Sequence, residues 1–118
     1  MKQAMIKGGL IAALLTSGNA AVAQYVGPSG SPVTTARQLV DSARDKQYVR
    51  LQGRIVSHDG GEKYTFADES GRLSVEISAH RFPAGQPIGA DRQVEILVEV
   101  DKDLTKTEFE VEQIRLLP

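Results

Sequence analysis

Three parts of the chain hold residue types that could do chemistry. Ser57-His58-Asp59 sets a nucleophile, a base and an acid in a row. Neighbours along an extended chain point to opposite sides, whereas working triads are assembled from distant segments. The run therefore reads as a strand end entering the turn His58-Asp59-Gly60-Gly61, and no catalytic residue is expected. Asp101, Asp103 and Thr105, with Glu112 at the twelfth position, put oxygens at part of a calcium-loop spacing. The sixth position of such a loop needs Gly and is Lys106 here, and a strand replaces the preceding helix. His80 has no second ligand at a useful spacing. Glu108, Glu110 and Glu112 attract cations only as any acidic strand face does. Neither a metal site nor a cofactor is expected. The third part is a set of alternating polar positions, Arg50, Gln52 and Arg54, joined by Lys63, Thr65 and Arg72. Cationic and hydrogen-bonding side chains repeated every second residue form one face of a sheet, suited to holding an anionic glycan, peptide or small molecule. A solvated surface with charge on its edges is the plainer reading of the same pattern.

Such a face needs a frame, and the first 23 residues do not belong to it. Lys2 and Lys7 precede the apolar run Gly8-Gly9-Leu10-Ile11-Ala12-Ala13-Leu14-Leu15, and Ala21-Val22-Ala23 ends in small residues. That is the pattern of a secretory signal peptide cleaved after Ala23, which predicts a periplasmic protein with no membrane insertion. The apolar run is too short to span a bilayer, which takes about 20 residues. Loss of Lys2 and Lys7 leaves 12 of the 14 basic residues against 15 acidic ones, a net charge of −3. A mildly acidic chain lacks the counterion-displacing lysines and arginines on which polyphosphate binding depends, so no nucleic-acid partner is expected. The chain has no cysteine, so packing alone must hold it.

Residues 24–32, Gln24 to Pro32, contain two prolines, two glycines and two serines and read as a flexible linker. Residues 33–118 form the domain. Thr35 with Gln38 fits a capping box, and Ala36, Leu39, Val40 and Ala43 fall on one face of a helix of about three turns. From Tyr48 the period becomes two. Val49, Leu51, Gly53 and Ile55 face inward on a first strand, Tyr64 and Phe66 on a second, and Leu73, Val75 and Ile77 on a third. Asp68-Glu69-Ser70-Gly71 turns between the last two. Pro83, Gly85, Pro87 and Gly89 interrupt the chain until Val94, Ile96, Val98 and Val100 form a fourth strand. Phe109, Val111, Ile114 and Leu116 form a fifth, and the odd step from Val111 to Ile114 requires a bulge near Glu112 and Gln113. Five curved strands with this many inward apolar residues bury them by closing. The expected fold is all-β: a five-stranded antiparallel Greek-key barrel, with one N-terminal helix plugging an end through Leu39 and Val40. Gly53 suits the sharp coil of its first strand. Arg50 and Arg54 should reach across to Glu95 and Glu99 on the fourth.

The order of signal peptide, GPSG, TTARQL, LQGRIV, DESGRLSVEI and VEVDKD resembles the bacterial OB-fold (BOF) family, the YgiW/YdeI type of small periplasmic proteins associated with stress tolerance. The resemblance spans nearly the whole mature chain and implies the same barrel, with its helix before the first strand. Members often carry Trp where this chain has Phe82 and Leu104. Inward Tyr64, Phe66 and Phe109 leave few rings outside for stacking bases. The expected function is therefore non-catalytic. The protein should act as a monomeric periplasmic binding module for a cell-envelope component, peptide or small molecule, contributing to stress tolerance as the resemblance implies. The alternative is a protein-interaction or regulatory module with a periplasmic protein as partner, with nucleic-acid or cation binding behind both.

Overall fold

The computed structural model describes residues 30–118. The expected signal peptide, residues 1–23, and residues 24–29 of the expected linker lie outside the described residues. The elements run β1 (Val33–Thr34), α1 (Ala36–Ser42), β2 (Tyr48–Gly60), β3 (Lys63–Asp68), β4 (Gly71–Glu76), a 3-10 turn (Ala79–Arg81), β5 (Val94–Lys102) and β6 (Thr107–Leu116).

The long β2 serves two neighbours in succession. Its first half pairs with β5, from Tyr48↔Glu99 to Gly53↔Val94, and its second half with β3, from Arg54↔Ala67 to Gly60↔Lys63. The hairpins β3–β4 and β5–β6 complete the wall, and β4 meets β6 at Glu76↔Glu110. The ring β2-β3-β4-β6-β5 is closed. Four of its junctions are antiparallel and the β4–β6 junction is parallel. One strand was not foreseen in the sequence. Val33 and Thr34 form β1, parallel to β2, and the Pro32 carbonyl accepts from the Arg50 N–H at 2.8 Å.

Period-two alternation fills the interior as expected. Val49, Leu51, Phe66, Leu73, Val75, Ile77, Val94, Ile96, Val98, Val100 and Val111 are all buried. Phe109, Ile114 and Leu116 are half-buried against them. The β5–β6 register steps from Leu97↔Gln113 to Val98↔Val111, so Glu112 is the extra residue that keeps both flanking apolar positions inside. Two further irregularities in the β2–β3 ladder, beside Val56 and Asp59, coil that hairpin.

The helix differs from expectation. Thr35 caps it, its Oγ1 accepting from the Gln38 N–H at 3.2 Å. The Gln38 side chain instead accepts from the Thr34 hydroxyl. Two neighbouring helical N–H groups are satisfied from the β3–β4 turn: Ala36 donates to Asp68 Oδ2 (2.8 Å) and Arg37 to Ser70 Oγ (2.9 Å). The helix stops at Ser42 because the chain must turn at Lys46 (φ 66°), whose N–H donates to the Val100 carbonyl. With two turns only, Ala36, Leu39 and Ala43 make the inward stripe. Val40, expected to plug the barrel beside Leu39, is 53% exposed.

Candidate functional site

The outward face of β2 carries Arg50, Gln52 and Arg54, and the structure sorts them into two environments. Gln52 stands opposite Glu95, whose carboxylate is buried despite its outward phase. Gln52 Nε2 donates to Glu95 Oε2 (2.8 Å), Arg115 Nη2 donates to Glu95 Oε1 (2.8 Å), and Arg50 Nη1 lies 3.6 Å from the same oxygen. These donors, Gln52 first and Arg115 next, hold the Glu95 carboxyl below its ordinary range against the opposing effect of burial. The Arg50–Glu95 pair is formed as expected, but on a buried carboxylate.

The second expected pair, Arg54 with Glu99, is absent. Pairing between β2 and β5 ends at Gly53, and Glu99 lies opposite Tyr48 at the other end of the strand. Glu95→Gln keeps the shape and removes the charge. We expect it to cost about 1–2 kcal/mol at neutral pH, read by urea unfolding. A depressed pKa contributes stability above the ordinary carboxylate range and loses it as pH falls. The difference between the two proteins should therefore shrink below about pH 4.

Arg54 makes no ion pair among the described residues; its Nη1 donates to the Ala90 carbonyl at 3.3 Å. Its side chain borders a groove of 560 Å³ between β1, the middle of β2 and the β3–β4 turn. Gln52, Thr34, Asp68, Ser70 and Gln93 also line that groove. Thr34, Ser70 and Gln93 were not legible as site residues, since only the tertiary arrangement brings those segments alongside Arg54.

The remaining expected residues, Lys63, Thr65 and Arg72, lie on the neighbouring strands β3 and β4. Thr65 donates to Asp59 Oδ2 (2.6 Å), while Ser57 donates to Oδ1 (2.8 Å). Those hydroxyls, Thr65 first, lower the Asp59 pKa. His58 turns away from both, its Nε2 2.8 Å from the Gly61 carbonyl. Its ring stacks on Tyr64 with centroids 4.4 Å apart, and Tyr64 also meets Phe82 at 5.5 Å. Ser57-His58-Asp59 is therefore a hairpin brace with no Ser–His or His–Asp hydrogen bond. Tyr64, expected inside with Phe66, is only half-buried and closes this ring cluster. Lys63 (3.8 Å from Glu76) and Arg72 border a separate groove of 270 Å³ with Val40 and Phe109. By register Arg54 and Arg72 both stand opposite Ala67, and Lys63, Thr65 and Ala67 alternate along β3, so these residues share the outward side of the sheet while their side chains make separate local contacts.

On the loop compared above to a calcium site, Asp103 Oδ1 accepts from Thr105 N, Thr105 Oγ1 and Lys106 N and folds the hairpin tip. Leu104 beside it is fully exposed.

A family model described as bacterial OB fold (BOF) protein matches residues 15–116. The chain belongs to the BOF family. This BOF protein is 38% identical over 109 residues to the "Calcium-regulated OB-fold protein CarO" of Pseudomonas aeruginosa, covering 92% of this chain and 93% of the relative. It is 40% identical over 83 residues to "Protein YgiW" of Escherichia coli K12, covering 70% of this chain and 62% of the relative. The solved structure of YgiW superposes with a TM-score of 0.69, covering 79% of this chain and 97% of that one. The telomere capping protein Ten1 of Saccharomyces pombe superposes with a TM-score of 0.55 at 17% identity, covering 74% and 81%, and shares the fold alone with this BOF protein.

Proposed function

We propose that this BOF protein is an exported, non-catalytic binding module of the periplasm. It holds an anionic cell-envelope component, peptide or small molecule against the outer face of β2 and contributes to stress tolerance. One observation carries the reading: Arg54, a cation with no ion pair among the described residues, stands at a groove of 560 Å³ with Gln52, Gln93, Thr34 and Ser70; of the two carboxylates that also line it, Asp68 is held by the β3–β4 turn and the α1 N-terminus, and Glu69 stands at the turn itself. A guanidinium in such a setting supplies a forked, charge-assisted donor, and the neighbouring groups fix orientation. The non-catalytic part rests on the Ser57-His58-Asp59 geometry, in which the Ser57 hydroxyl donates to Asp59 and His58 turns to the Gly61 carbonyl, so no Ser–His–Asp relay is formed. The exported part rests on the sequence of residues 1–23.

Backbone NMR during titration with acidic envelope glycans and acidic peptides should shift resonances at Gln52, Arg54 and Ser70, and single-stranded DNA should shift none. Arg54→Ala should weaken that binding about ten- to hundredfold, the worth of one charge-assisted contact, and leave the melting temperature nearly unchanged. Silence to every small ligand, together with capture of a specific periplasmic protein, would favour the protein-interaction reading.

A further inference from the structure

The barrel closes on one slender junction. The other four walls carry long ladders, bulged in β2–β3 and β5–β6, whereas β4 and β6 meet at the single parallel pairing Glu76↔Glu110. Beyond it the two strands part around the groove that Leu73 and Phe109 line, so no further ladder supports the pairing on that side. Opposite residues of adjacent strands point to the same face, so this junction sets two carboxylates side by side.

More carboxylates face Glu110 from every neighbour. Glu99 and Glu112 bring oxygens within 4.8 Å of its own, and so do Asp101 and Glu108. Glu62, Glu76 and Glu112 line with it a pocket of 90 Å³, which Arg81 and Ser78 complete. The nearby cations are engaged with other acids: Arg81 with Glu112 (3.0 Å), Lys63 with Glu76 (3.8 Å) and Lys106 with Glu108 (3.2 Å). Glu110 makes no ion pair among the described residues.

We propose that the β4–β6 junction is an acid-tightened latch: at neutral pH the charge of Glu110, unpaired with any cation among the described residues, weakens the pairing of β6 with β4, and one proton taken up there tightens it. Burial first, then the charges of Glu76, Glu112, Asp101 and Glu99, raise the Glu110 pKa, which agrees with the geometry. A raised folded-state pKa contributes stability that is complete below the ordinary glutamate value of about 4.3 and fades as pH rises through the higher folded value. Asp68 and Glu95, whose pKa values are lowered, act with the opposite sign and only in stronger acid. Between neutrality and the ordinary glutamate range the latch therefore tightens before acid begins to loosen the rest.

Amide hydrogen exchange separates this junction from the walls. Protection factors at Glu76 and at Glu110 to Glu112 should rise several-fold between neutral pH and mild acid, while those of the β2–β5 ladder stay level. Glu110→Gln should show the high protection at both pH values. Glu99→Gln, a milder change, should keep the response but shrink it. A junction whose protection ignores pH, or a Glu110→Gln protein that keeps the full response, would overturn the latch. If Glu110→Gln does not fold, an undiminished response in Glu99→Gln overturns it instead.

Discussion

Gly53→Ala is expected to cost about 3 kcal/mol, the upper end for overpacking, and to lower the melting temperature by roughly 12–24 °C. A Cβ at this position would collide with the Ala67 carbonyl oxygen and come within 2.8 Å of Phe66 Cζ. Gly53 does not adopt a positive φ, so the requirement is space rather than backbone conformation. Here β2 exchanges its β5 partner for its β3 partner, and the coil that allows the exchange brings β3 backbone over the β2 backbone. A side chain can rotate away from such a contact, but a carbonyl within a ladder cannot move without breaking it. Adding Phe66→Leu should therefore restore little of the loss. Circular dichroism melts of the single and double variants give the comparison, and full rescue by the second substitution would show that the ring, not the carbonyl, is the obstacle.

Asp68→Ala is expected to cost about 2–4 kcal/mol, because one carboxylate serves both a turn and a helix end. Its Oδ1 accepts from Ser70 N (2.8 Å), Ser70 Oγ (2.6 Å) and Gly71 N (3.2 Å), and its Oδ2 from Ala36 N (2.8 Å). Burial alone would raise its pKa. The Ser70 hydroxyl and the N–H groups of Ala36, Ser70 and Gly71 outweigh that and lower it. A depressed pKa means stability present above the ordinary aspartate value of about 3.9 and lost as pH falls through the folded value. Urea unfolding should therefore show a constant gap between wild type and variant near neutrality, closing below about pH 4. Asp68→Asn, which retains one accepting oxygen, should lose less than half as much. α1 should suffer first, since a seven-residue helix is too short to persist without its anchors.

Both effects bear on how much the sequence disclosed. The need for glycine at position 53 was legible as a small residue inside a strand that had to coil. That the obstacle is a β3 carbonyl was not, because the contact joins residues on different strands. DESG was legible as a turn, but its second task as the anchor of α1 spans 32 residues of chain.

By itself the sequence determined the five barrel strands and, Tyr64 apart, their inward faces, the bulge at Glu112 and membership of a closed all-β class. These follow from alternation and from the requirement that apolar side chains leave water, which are local properties of the chain. Tertiary structure alone decided the partners across strands. It buried Glu95 beneath Arg50, Gln52 and Arg115. It left Arg54 with no ion pair among the described residues at a groove, turned Val40 to solvent and gathered Glu99, Glu110 and Glu112 beside the parallel junction. The physical reason is that charge and hydrogen-bond energies fall off steeply with separation and direction, and separation across a barrel is set by register. Register depends on where β2 changes neighbour, which no local stretch of residues encodes.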